Sequence, residues 1–141
     1  MSQELFTALE RRFNANKGLT RFARKLYEGL GPEDIKQRPY VAVTIDGPSH
    51  EFDSFDGDEP LYSLTFDIKT RDAQSKRAWK IHEQMIITFD DGDIVGASFE
   101  TVSCRQTGGI APHMVDGKFE ASMDFDWMIS MKSTVPATRG T

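Results

Sequence analysis

Three groups of residues in this chain are of types that could do chemistry: a His-Glu pair, a lone cysteine and a run of carboxylates. His82-Glu83 starts as a zinc-protease helix starts, where a second histidine one turn later would share the metal. Ile86 stands at that place, so the motif fails and His82 reads as a core or boundary histidine. His50 and His113 have no cysteine or second histidine at ligand spacing. Cys104 would need a base to take its proton; the sequence sets none beside it, and a packed, inert thiol is the expectation. Gly29-Leu30-Gly31 and Gly108-Gly109 lack the spacing and the following helix of a phosphate-binding loop. No metal site, catalytic constellation or cofactor is expected.

The carboxylates are the remaining candidates. From Asp46 to Asp67 there are seven acids and no base. At their centre lie Glu51, Phe52, Asp53, Phe55, Asp56, Asp58 and Glu59. The spacing is not that of an EF-hand. Solvated acids of this kind also lack the burial that splits carboxylate pKa values for acid–base work. A solvated loop is the plain reading. Phe52 and Phe55 point to a second one, a partner- or lumen-facing surface, because aromatics can anchor a contact.

The elements that would carry these residues follow from apolar spacing. Ser2 is the expected N-cap of a first helix. Leu5, Phe6, Leu9 and Phe13 then predict a helix ending near Asn16 to Gly18, with Gly18 as the residue just past it. Residues 19–28 are ambiguous between a longer helix and a short strand around Lys25-Leu26-Tyr27, and 29–39 read as a loop. Tyr40 to Asp46 alternates as a strand with Val41, Val43 and Ile45 on one face. Gly47 to Pro60 is a long polar loop. Leu61 to Lys69 alternates again, with Tyr62, Leu64, Phe66 and Ile68 together.

A second helix is capped by Asp72 or Ser75 and buries Ala78, His82, Met85, Ile86 and Phe89. Ile87 projects instead among the charged residues, a hint of a subunit contact. A strand with Val95, Ala97 and Phe99 on one face should follow from Ile94. Parity shifts after Glu100 to Val102 and Cys104, which predicts a β-bulge. Gly108 to Gly117 reads as a turn-rich region. The clearest signal is last: apolar residues at every odd position from Phe119 to Met131, a strand of about 40 Å. The expected fold is α+β, a mostly antiparallel sheet with two helices packed on one face.

The bulk numbers agree. A chain of 141 residues, 38% hydrophobic with ten Phe, can fold as one domain without staples. Residues 1–132 form that domain and 133–141 a flexible tail. One cysteine excludes an internal disulfide. Met1-Ser2-Gln3-Glu4 does not read as a secretory signal, and no run approaches the roughly 20 apolar residues of a membrane span. Synthesis in the cytoplasm is expected. The net charge of −5 and the absence of a basic, aromatic-interleaved cluster argue against a nucleic-acid grip. Basic residues collect in 1–38 and 68–88, so separate patches of opposite charge could meet on neighbouring copies.

A family resemblance rests on Leu26-Tyr27 before a loop and on Pro39-Tyr40-Val41 opening a strand. It continues through Tyr62-Ser63-Leu64-Thr65-Phe66-Asp67-Ile68-Lys69-Thr70, a helix with Ala73 and Ala78, and closes on Phe125-Asp126-Trp127. Over 1–132 the chain resembles the tail-completion (tail-terminator) proteins of long-tailed bacteriophages and prophages, with their head–tail joining relatives; the order of elements carries it rather than one short motif. The resemblance implies a structural virion protein and no enzyme. Its subunits would form a ring, hexameric in that family, that caps the head-proximal end of the tail tube. The ring would end tube polymerisation and meet the tail tube protein and head-connector proteins. DNA would pass through without being bound specifically, and no membrane is involved. The location implied is the tail at the head–tail interface, after synthesis in the host bacterial cytoplasm. The 47–60 loop is longer and more acidic than that family pattern. The reading from another class is a small α+β ligand-binding domain or enzyme with a helix–sheet pocket using His82 or Cys104.

Overall fold

The computed structural model describes residues 2–33, 38–49, 59–71 and 73–132. Helix α1 (Ser2–Ala15) sets Leu5, Leu9 and Phe13 on one fully buried stripe. It stops because Asn16 leaves the helical conformation and caps the next turn, α2 (Lys17–Thr20). The Asn16 carboxamide oxygen accepts from the Gly18 and Leu19 amides at 2.9 and 3.2 Å, while its Nδ2 donates to Thr88 Oγ1 at 2.7 Å. Gly18 therefore lies inside α2 rather than ending α1, since the side chain of Asn16 does the terminating.

Five strands follow: β1 (Leu26–Glu28), β2 (Tyr40–Ser49), β3 (Leu61–Lys69), β4 (Phe99–Val115) and β5 (Lys118–Met131), with α3 (Ser75–Phe89) between β3 and β4. The ambiguous segment resolves into α2 and β1. The sheet order is β1-β2-β3-β5-β4; β1 pairs parallel to β2 and every other pair is antiparallel. The fold is α+β, as expected. Val41, Val43, Leu64, Phe66, Ile68, Met123, Phe125 and Trp127 turn to the helices and are buried. Phe66 stacks on Phe89 of α3 at 4.8 Å and meets Phe125 edge-on at 5.6 Å, so sheet and helix close on an aromatic cluster. No described helix is long and apolar enough to cross a membrane.

Several expected details change. Gln74, not Ser75, holds the N-cap position of α3, and its side chain makes no cap bond; Asp72 lies outside the described residues. The buried stripe of α3 is Ala78, Ile81, Met85, Thr88 and Phe89, leaving His82 and Ile86 half-buried. The stripe rotates because Thr88 is wanted inward, where Asn16 donates to it. Residues 94–98 form no strand: one bridge joins Val95 to Glu100, with Ile94 buried and Val95 exposed. Gly96 forbids a side chain there, since an added Cβ would lie 2.1 Å from the Phe99 ring. Ser98 closes this excursion onto α1, its amide and hydroxyl donating to the Glu4 carboxylate at 2.7 and 2.8 Å.

The largest change concerns 108–117, which is strand and not loop. β4 continues to Val115 and reverses in two residues, Asp116 and Gly117, both at positive φ (51° and 78°), as a type I′ hairpin requires. β4 uses 17 residues to span the 14 of β5, and three register shifts absorb the surplus. Val102 is the extra residue of the first, between the Thr101–Ile129 and Ser103–Met128 pairs. The bulge thus falls where parity suggested, but it turns Val102 outward while Phe99 and Cys104 both stay buried.

Candidate interaction surfaces

The outer side of α3 carries the one subunit-contact residue expected from sequence. Ile87 is 61% exposed, and Trp79, two turns earlier, is 49% exposed. The Trp79 ring meets the His82 imidazole edge-on at 5.6 Å, and Ile86 completes an apolar hollow of about 440 Å³ rimmed by Lys76, Lys80 and Glu83. Trp79, His82 and Ile86 follow i, i+3, i+7 spacing, which was the available signal for Trp79. Burial holds the His82 imidazole below its ordinary pKa, so it is neutral at pH 7. No group of metal-ligating side chains occurs among the described residues.

A second surface is the far half of the β4–β5 hairpin. From Arg105 to Val115 the β4 side chains are almost all exposed, including Ile110 and Met114. β4 is the last strand of the sheet, so this long stretch is also an edge. Its bulges, and Pro112 within the third of them, break the regular row of donors and acceptors that invites indiscriminate pairing.

The third surface is the face of the sheet turned away from the helices. It presents Asp46 and Asp126 on either side of Ser63, Asp124 opposite Thr65 and Asp67 opposite Ser122. Thr65 Oγ1 donates to Asp124 at 3.0 Å. Burial raises the Asp67 carboxyl above its ordinary pKa; Lys69 opposes that rise, and Glu120 and Asp124 add to it. Of the acidic-loop residues, Glu51, Phe52, Asp53, Phe55, Asp56 and Asp58 lie outside the described residues, as does His50. Glu59 is described and exposed. The two roots of that segment are adjacent, Ser49 pairing with Leu61 at the end of β2 and β3.

The two side chains named for a pocket chemistry sit in unlike places. Cys104 is fully buried in the core, and its thiol is pushed up to about 12, first by burial and then by the Asp90 charge. A thiol so placed is not a nucleophile at neutral pH. His82 is on the outer flank of α3. The layer between helices and sheet is filled by Phe13, Phe66, Phe89 and Trp127. The Trp127 indole donates to Thr101 Oγ1 at 2.9 Å, so even its polar atom is satisfied inside.

The chain is similar in fold to a chain of the virion of a native gene transfer agent particle, with a TM-score of 0.69. The match covers 92% of this chain and 96% of that one at 13% sequence identity. No protein-family model matches the sequence, and no curated protein matches it. At that identity the likeness establishes a common fold.

Proposed function

We propose that this protein is a structural component of a phage-like virion, the subunit of a ring that caps the head-proximal end of a tail tube. The observation that carries the reading is the near end-to-end likeness in fold to a chain of a gene transfer agent virion. The order of elements shared with tail-completion proteins supports the same role, and so do the exposed apolar residues. Ile87 and Trp79 on α3 and Ile110 and Met114 on the β4 edge are suited to contacts between subunits. Rings arise when such a heterologous contact closes on itself, six times in the resembled family. The partners are further copies, the tail tube protein and the head-connector proteins, and the place is the head–tail interface of the particle. No catalytic step is assigned to the chain.

The 51–59 segment, with its acids and two Phe, is assigned to the lumen or a docking face. There it would repel DNA phosphates and let the genome pass without sticking. Replacing Asp53, Asp56 and Asp58 with Asn tests this; unchanged DNA passage removes it. The capping role is tested by assembling particles without the protein and measuring tails by electron microscopy. Overlong tubes and unjoined heads are expected, with normal length restored by adding the protein back. Tails of normal length joined to heads in its absence would sink the reading.

A further inference from the structure

Four stretches of the chain converge on a cleft of about 400 Å³ beside the start of α3. Arg21, Arg24, Arg38, Arg71 and Arg77 line it around Phe22. No carboxylate lines it among the described residues. Arg38 is held at one edge, donating to the Thr70 carbonyl at 3.1 Å and lying 3.8 Å from Glu120, while its buried Nε has no acceptor among the described residues. The guanidinium groups of Arg21, Arg24 and Arg71, the exposed ones, repel one another across this concavity, and a carboxylate or phosphate entering it relieves the repulsion through charge-assisted hydrogen bonds.

The charge along α3 has the same polarity. Lys76, Arg77 and Lys80 lie in its first turns, and Asp90, Asp91 and Asp93 follow its end. The helix dipole favours the opposite layout at both ends. The chain therefore carries a basic pole beside the cleft and an acidic pole at the far end of a helix of 15 residues, about 22 Å away. Two poles so separated cannot meet within one molecule. Two of the acids are available: Asp91 and Asp93 are exposed, while Asp90 accepts from the Gln106 amide at 2.9 Å. The one ion pair described for them, Asp91 with Arg105 at 3.3 Å, joins side chains 72% and 69% exposed, a pair of little strength.

We propose that the arginine cleft is the receiving half of a head-to-tail contact between copies of this chain, filled by the Asp91 and Asp93 carboxylates of the next copy. The inference deepens the ring reading and rests on it: a heterologous contact joins two different surfaces, as a closed ring requires. Self-contact is favoured over DNA as the source of the anion because the chain is acidic overall, −5, and would repel a long polyanion while accepting a short acidic turn.

The test is light scattering of the full chain over a concentration series. Arg24→Glu with Arg71→Glu, and separately Asp91→Lys with Asp93→Lys, should each weaken self-association at least tenfold. All four changes in one chain should restore it, and so should an equimolar mixture of the two variants, since each then supplies the surface the other needs. All four positions are exposed, and a thermal melt checks that each variant folds. A chain with Arg24→Cys and Asp93→Cys gives an independent reading. Oxidation should yield a ladder of covalent multimers, whereas either cysteine alone should not. Wild-type association indifferent to these charges, no restoration in the combined chain, or no ladder overturns the proposal. Binding of duplex DNA that is lost on Arg24→Glu with Arg71→Glu also overturns it, in favour of phosphate. A wild type that stays monomeric overturns the contact and leaves the tail reading standing, because that reading is judged on tube length.

Discussion

Asn16→Ala should cost about 2–3 kcal/mol of stability, far more than a half-exposed polar residue ordinarily would. The magnitude follows from its four hydrogen bonds. Two are the cap bonds to the Gly18 and Leu19 amides, together worth about 1 kcal/mol. The other two run from Nδ2 to Thr88 Oγ1 and to Gln84 Oε1. Gln84 can turn to water, but Thr88 is buried and would lose a donor there, adding about 1–2 kcal/mol. Asn16→Asp keeps the cap and loses only the donors, so it should cost less than the alanine. Thr88→Val removes the group that the donor serves. In the double variant Asn16→Ala/Thr88→Val the costs should therefore fall short of additivity by about 1 kcal/mol. Urea unfolding followed by circular dichroism measures wild type and the four variants, with a midpoint shift on the order of 1 M expected for the alanine. A loss below about 0.5 kcal/mol, or strict additivity, would refute the claim that this side chain joins α1, α2 and α3.

Three further outcomes are expected. The Cys104 thiol should resist a thiol reagent at pH 8 in the folded protein and react fully once unfolded, since burial pushes it up to about 12; fast native reaction would contradict the packing. Glu4 is held below the ordinary carboxylate range by its hydrogen bonds from Ser98, so its contribution is complete above the unfolded-state value and disappears as pH falls through the lower folded one. Wild type should accordingly lose more stability than Glu4→Gln on acidification over that interval, and parallel curves would count against the link. Gly109→Ala should destabilise the hairpin, because the glycine sits at φ +139° and an added Cβ would approach the Ser122 carbonyl oxygen to 2.3 Å; an unchanged melting temperature would contradict this.

Periodicity alone located α1, β3, α3 and β5, and with them most of the core. Each has one buried face and one solvated face, so its apolar residues recur at the period of its own backbone. The sequence also marked Cys104 as inert, Ile87 as outward and a bulge near Val102, each from a local pattern. β4 escaped beyond its first residues for a physical reason. It is an edge strand, exposed on both faces past Gln106 and interrupted by three bulges, so no alternation is imposed on it. β1 is three residues long and exists through parallel pairing with β2, a partner that lies twelve residues further along the chain. The arginine cleft was beyond local reading altogether: its guanidinium groups come from the stretch after α2, the approach to β2, the residues just past β3, and α3. Charge attraction and repulsion act through space, and only the folding of those four stretches around one corner of the sheet set like charges side by side.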